Sequence, residues 1–229
     1  MKTIGIIGGM SWESTTEYYR MLNRLAKEKL GGLHSAKCLM YSVDFGPLAA
    51  AMAEGDWKFI ERELTQAARK LETAGADFLL IATNTMHKMA DEVAASIRIP
   101  LLHIADCAAD ALTASGINKA GLLGTKPTME MDFYRQKLAA RNIEAIIPQE
   151  DDRAELNRII FEELCRGIIS EDSRRKGLDM IDRLTHQGAQ GLLLGCTELA
   201  LLFRPQDTPH PLFDTAEIHA EAASKKALA

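Results

Sequence analysis

The stretch Gly75-Ala76-Asp77-Phe78-Leu79-Leu80-Ile81-Ala82-Thr83-Asn84 returns 113 positions later as Gly188-Ala189-Gln190-Gly191-Leu192-Leu193-Leu194-Gly195-Cys196-Thr197. Both copies carry an apolar run of strand length, entered after a glycine and left at a polar residue. That is the pattern of a buried strand in a parallel sheet. In the first copy, residues with helical spacing from Asp56 to Ala74 lead into the run. Further out, Ile4-Gly5-Ile6-Ile7-Gly8-Gly9 reads as a first strand, Thr15 to Leu30 as a helix and Cys38 to Val43 as a second strand. Pro100-Leu101-Leu102-His103-Ile104 reads as a fourth strand. Strands alternating with helices of this length predict a parallel, doubly wound sheet.

The programme restarts near residue 115. Ala120-Gly121-Leu122-Leu123-Gly124 is again a strand ending in glycine, and Tyr134-Arg135 follows Gly124 as Tyr19-Arg20 follows Gly9, an offset of 115. Two matching segments in the same order suggest duplication of one α/β unit. The expected fold is therefore two pseudo-symmetric halves of doubly wound parallel sheet with the active site in the cleft between them. The segment Thr113 to Lys119 is the expected boundary. Residues 1–115 form the first half, joined by a C-terminal helix within 212–229, and residues 116–211 form the second; Pro205 to Pro211 returns the chain. Ligands of open α/β sheets bind beyond the carboxyl ends of the strands. This places Gly8-Gly9, Thr83-Asn84-Thr85, Gly124-Thr125 and Cys196-Thr197 around one ligand, with Thr83 and Cys196 in equivalent positions.

Composition narrows the class. The net charge is -5 with no block of like charges, which argues against nucleic acid or an anionic membrane as the main partner. No apolar run approaches the roughly 20 residues of a membrane helix, and Ile4 to Met10 is too short for a signal peptide. Cys38, Cys107, Cys165 and Cys196 are widely spaced, with no C-x-x-C pair. Neither a disulfide framework nor a zinc site is expected, and a reducing cytoplasm fits. Gly5, Gly8 and Gly9 do not complete G-x-G-x-x-G, and there is no Walker lysine, so a nucleotide site is weakly supported.

Cys196 is the strongest single candidate for chemistry. It leaves a strand and precedes Thr197-Glu198-Leu199-Ala200-Leu201-Leu202, which reads as a helix start. A helix N-terminus stabilises a thiolate and would lower the thiol pKa towards a usable base. On position alone, a buried structural cysteine is the alternative, and for the other three cysteines it is preferred. Asn84 and Thr85 sit at the matching switch of the first half, where backbone N–H groups can hold a carboxylate; simple capping serves equally well. His87 is a proton shuttle or a packed donor, and His103 and His219 read as structural. Asp44 orients a ligand amine or caps a turn.

Together, Gly8-Gly9-Met10-Ser11-Trp12-Glu13-Ser14, Thr83-Asn84-Thr85-Met86-His87 and Leu194-Gly195-Cys196-Thr197-Glu198 resemble the aspartate/glutamate racemase family. The likeness extends over Ser42-Val43-Asp44-Phe45 and Phe213-Asp214-Thr215, and is greatest to the broad-specificity amino-acid racemases of enteric bacteria. The resemblance implies an isomerase that uses no pyridoxal phosphate and no metal. In such an enzyme one base removes the α-proton of an amino acid and an acid on the opposite face returns one, usually through two thiols. It also implies a homodimer. Here the first-half cysteine is replaced by Thr83. By resemblance, Cys196 deprotonates an L-amino acid and Thr83, with a water, reprotonates the carbanion, so the D-to-L direction starts slowly. The implied substrate-binding set is Met10, Ser11, Met52, Asn84, Thr85, Thr125, Thr128 and Thr197. Met52 stands where close relatives carry glutamine, and Arg166 lies near a family lysine. The substrate is then aspartate or glutamate, or a broader, less acidic set. Two alternatives stand beside this reading: a single-cysteine lyase or isomerase like the arylmalonate decarboxylases, and an amino-acid-binding protein that has lost catalysis.

Overall fold

A computed structural model describes residues 1–229. They divide into two compact units, Met1–Ile104 with His219–Ala229, and Ala105–Ile218. The break thus falls earlier than residue 115, and the last helix is shared at His219 instead of joining the first half whole. Ion pairs show why the helix beginning at Ile104 goes with the second unit: Asp106 lies 3.4 Å from Lys137 and Asp110 3.1 Å from Arg141. The C-terminal tail is tied to the first unit through the Lys2 N–H bond to the Ala227 carbonyl, 2.8 Å. No helix is long and apolar enough to cross a membrane.

The first unit runs β1 (Ile4–Gly8), α1 (Trp12–Leu30), β2 (Cys38–Ser42), α2 (Phe45–Glu54), α3 (Trp57–Thr73), β3 (Phe78–Ile81), a 3₁₀ turn (Thr85–Met89) and α4 (Ala90–Ala95). Then come α5 (Ile104–Ala114), β4 (Lys119–Gly124), α6 (Lys126–Glu130), α7 (Asp132–Ala139), β5 (Glu144–Ile146) and α8 (Glu150–Arg158). A π-helical segment (Ile159–Glu163) leads to α9 (Glu171–His186), β6 (Gly191–Gly195), α10 (Leu199–Leu202), β7 (Leu212–Asp214) and α11 (Thr215–Leu228).

The two sheets share one topology. The strand order is β2-β1-β3 in the first and β5-β4-β6-β7 in the second, and all pairs are parallel. The expected fourth strand of the first sheet is reduced to a single bridge between Leu79 and Leu101. Its anchor is the Leu79 N–H bond to the Pro100 carbonyl at 2.9 Å, mirrored by Leu192 N–H to Pro211 O at 2.9 Å.

The helical faces repeat as well. In α3 the buried residues are Ile60, Leu64, Ala67, Ala68 and Leu71; in α9 they include Ser173, Gly177, Met180, Ile181 and Leu184. Each residue of the second set lies 113 positions after its counterpart, the same offset as the strand copies. This is the apolar stripe of a helix laid on a sheet, cut twice to one pattern. Each large apolar side chain so buried contributes about 1.5–3 kcal/mol. Gly75 and Gly188, with φ of 96° and 97°, make the same left-handed turn into the strand. One correspondence needs correcting. Tyr134 is fully buried while Tyr19 is half exposed. Matching the strand ends Gly8 and Gly124 pairs Tyr134 with the buried Tyr18 instead.

Candidate active site

Parallel strands bring all their carboxyl ends to one sheet edge, which is where each unit gathers its polar residues. In the first unit, β1 ends at Gly8, where a Cβ would collide with Thr15 Cγ2. Gly9 follows with φ +94°. Its N–H donates to Thr15 Oγ1 at 2.8 Å, and that hydroxyl donates to the Ser11 carbonyl at 2.9 Å. Ser11 caps α1 by accepting from the Ser14 N–H, and so starts the helix earlier than Thr15. Met10 is buried in the core and Met52 packs half-buried against it. Asp44 caps α2 by accepting from the Gly46 N–H at 3.1 Å.

Beyond β3, Thr83 is half-buried, with Asn84 and Thr85 buried behind it. Asn84 opens the 3₁₀ turn from an αR backbone and makes no side-chain capping bond, so N-capping is not its role. His87 is buried with both ring nitrogens on backbone groups: Nδ1 is 2.8 Å from the Thr83 carbonyl, and Nε2 accepts from the Ile104 N–H at 3.2 Å.

In the second unit, Thr125 caps α6 by accepting from the Thr128 N–H, and the two hydroxyls lie 3.1 Å apart with Thr128 fully buried. Gly124 and Gly195 are neighbours across the sheet, and a Cβ on Gly195 would stand 2.8 Å from the Leu123 carbonyl oxygen. Cys196 follows, 8% exposed. Its thiol donates to Glu198 Oε2 at 3.0 Å, and the Thr197 hydroxyl donates to the same oxygen at 2.8 Å. Glu198 is itself buried.

This arrangement reverses the expected thiol electrostatics. The helix after Cys196 has only four residues and begins at Leu199, too short to supply a substantial dipole. Burial, and then the Glu198 carboxylate, push the Cys196 thiol well above its ordinary range. The resting group is a thiol, and its proton already points at an acceptor.

Register makes Thr83 and Cys196 equivalent. Ile7 pairs with Ile81, and the Ala82 N–H donates to the Ile7 carbonyl at 2.9 Å, so Ala82 lies beside Gly8. Gly195 lies beside Gly124. Thr83 and Cys196 are each the next residue out.

Residues 7–223 match the family model of the Asp/Glu/hydantoin racemases. The chain belongs to that family. Like its members it is an isomerase of the amino-acid racemase class. A candidate Asp/Glu racemase from Yersinia pestis is 52% identical and superposes with a TM-score of 0.93 over 100% of both chains. An aspartate racemase homologue from Pyrococcus horikoshii OT3 is 35% identical, with a TM-score of 0.86 over 100% of both. The broad specificity amino-acid racemase RacX of Bacillus subtilis is 22% identical over 99% of this chain and 98% of its own.

Within this family frame, the residue that sequence reading passed over is Glu198. It closes the Cys196-Thr197-Glu198 run, yet its contact with the thiol depends on a side chain folding back over two residues. No local pattern announces that. Arg166 is exposed at the end of a 3₁₀ turn after the π-helical segment. Cys165 is half-buried beside the second core, and Cys107 is buried in α5.

Proposed function

We propose that the chain racemises an L-amino acid without a cofactor, with Cys196 and Thr83 addressing opposite faces of one α-carbon. The observation that carries this is the hydrogen bond from the buried Cys196 thiol to the buried Glu198 carboxylate. Glu198 takes the thiol proton as the sulfur takes the α-proton, leaving a neutral acid, a thiol and a carbanion. The Thr83 hydroxyl or a water beside it then gives a proton to the other face, and solvent returns the proton held by Glu198 to that oxygen. Charge and protons balance without pyridoxal phosphate or metal. Thr83 is a weak base, so the D-enantiomer starts slowly, although the equilibrium constant between enantiomers stays near unity.

Asn84, Thr85 and Thr197, at the two sheet edges, supply donors for the substrate carboxylate. Met10, Ser11, Met52, Thr125 and Thr128 shape the surroundings. The half-buried Met52 supports a substrate set that reaches beyond aspartate and glutamate, since an acidic side chain gains nothing from a thioether. The proposal includes a homodimer in a reducing cytoplasm, and the four free cysteines suit such a compartment.

The elevated thiol pKa also favours a second reading. A resting thiol is ready to protonate a carbanion left by loss of CO₂, as in a single-cysteine decarboxylase. α-Proton exchange with L-amino acids in D₂O separates the two. The racemase reading expects exchange that Cys196→Ala abolishes while ligand-dependent thermal stabilisation survives. No exchange in the wild-type protein, with CO₂ released from arylmalonate, would establish the other.

A further inference from the structure

Behind the end of β3, the first unit buries His87, His103 and His219. The ring centroids of His87 lie 4.6 Å from His103 and 5.7 Å from His219. The partners of His87 dictate one protonation state. The Thr83 carbonyl can only accept, so Nδ1 carries hydrogen; the Ile104 N–H can only donate, so Nε2 is bare. A second proton would set Nε2–H against an N–H and bury a charge. The same logic holds for His219, whose Nε2 donates to the Leu102 carbonyl and whose Nδ1 accepts from the Tyr18 hydroxyl, both at 3.0 Å. The two imidazoles act as fixed neutral struts.

What His87 holds is distinctive. The last rung before the sheet edge is the Ala82 N–H bond to Ile7, so the Thr83 carbonyl lies beyond the ladder. In the second unit the equivalent Cys196 carbonyl is taken by a backbone group, the Leu199 N–H at 3.0 Å. In the first unit the following turn begins one residue later, with the His87 N–H on the Asn84 carbonyl, and the Thr83 carbonyl is met by a side chain. The peptide that carries the Thr83 hydroxyl is thus oriented by one imidazole, itself anchored to the start of α5.

We propose that His87 is a positioning residue for the Thr83 half of the reaction: its Nδ1–H bond to the Thr83 carbonyl fixes the hydroxyl that returns the proton. The inference rests on the racemase reading. Misplacing a reacting group by about 1 Å costs on the order of 10²-fold in rate, so loosening this peptide slows proton return from the Thr83 side and leaves the Cys196 side intact.

One experiment reads both sides in the same tube. L-Aspartate, L-glutamate, L-alanine and L-lysine are incubated in D₂O with the full-length protein. Deuterium appearing in recovered L-amino acid reports Cys196 alone, whereas D-product reports passage of a proton from the Thr83 side. The ratio of inversion to exchange does not depend on how much protein is folded. In His87→Ala the ratio is expected to fall by on the order of 10²-fold. In His87→Asn, whose amide N–H matches Nδ1, it stays near the wild-type value. Should His87→Ala not fold, His87→Gln replaces it. Its amide matches Nε2 and misses Thr83, so its ratio falls where that of His87→Asn does not. An unchanged ratio in His87→Ala, or equal ratios in the Asn and Gln variants, overturns the assignment while leaving the racemase reading standing. Wild-type protein that exchanges none of the four substrates overturns both.

Discussion

Glu198→Gln removes a charge and keeps the shape of a side chain that is 6% exposed. Two donors converge on its Oε2, the Cys196 thiol at 3.0 Å and the Thr197 hydroxyl at 2.8 Å. A hydrogen bond to a charged acceptor contributes about 1.5–3 kcal/mol and a neutral one about 1, so the pair weakens by about 1–4 kcal/mol. Against this, the variant no longer desolvates a carboxylate, an effective penalty of several kcal/mol. The two terms oppose each other, and folding stability should move by no more than ~2 kcal/mol in either direction. Catalysis has no such offset. An amide cannot take the thiol proton, and loss of a general-base step costs about 10²–10⁴-fold, or ~3–5 kcal/mol of barrier. The assay is the initial rate of α-proton exchange from the pure L-enantiomer in D₂O, paired with a thermal melt. A third measurement fixes the sign. Glu198 is, after burial, a cause of the raised Cys196 pKa. Removing its charge should therefore shift the pH midpoint of site-resolved alkylation at Cys196 downward while exchange is lost. Exchange at the wild-type rate, or an alkylation midpoint that moves upward, would refute the role assigned to Glu198.

Two further outcomes follow from the same geometry. Thr83→Cys puts a thiol, with a reference pKa of about 8.5, where the alcohol stands; exchange from the D-enantiomer should rise at least about tenfold while exchange from the L-enantiomer changes little, and an unmoved D-side rate counts against the asymmetry. Acid should loosen the first unit: burial lowers the His219 pKa from 6.5 to about 4, and burial, then the neighbouring His103 and His219, hold that of His87 well below its ordinary value. The unfolded chain then binds protons the folded chain refuses, so this stabilisation is complete above about pH 6.5 and is lost as pH falls to about 4, ~3 kcal/mol for His219 alone. Urea midpoints at about pH 7 and about pH 4 measure the loss, His219→Gln should flatten it, and a flat wild-type profile contradicts a neutral buried cluster.

The parts of the fold that the sequence announces are those buried on both faces. β1, β3, β4 and β6 read as continuous apolar runs because, Lys119 at the start of β4 apart, every residue in them is buried. The edge strands of the second sheet escape: β5 and β7 have three residues each and are at most half-buried, and too few residues leave no period to detect. The division of the chain is equally invisible locally, since the pairs Asp106–Lys137 and Asp110–Arg141 that settle α5 join residues far apart in sequence. Thr83 and Cys196 were legible as candidates because strand ends are where ligands of such sheets sit. The sign of the thiol shift was not, because it depends first on burial of the sulfur and then on the side chain of Glu198 folding back to it, with α10 only four residues long.

The duplication explains why the thiol shift, at a strand end, was the hardest feature to read. Positions 60, 64, 67, 68 and 71 recur as buried positions 113 residues later because both helices must cover a sheet of one geometry, and packing leaves little freedom there. The residues just past β3 and β6 lie outside that helix-on-sheet packing, and there the two copies differ in identity and in hydrogen bonding. One end holds its carbonyl with a histidine and offers an alcohol; the other holds its carbonyl with backbone and offers a thiol backed by a carboxylate. In the mechanism proposed above, a repeat of similar architecture supports unequal proton chemistry. On this reasoning, Thr83→Cys alone should not equalise the two directions, because the new thiol would have no carboxylate to take its proton, as Glu198 does in the second unit.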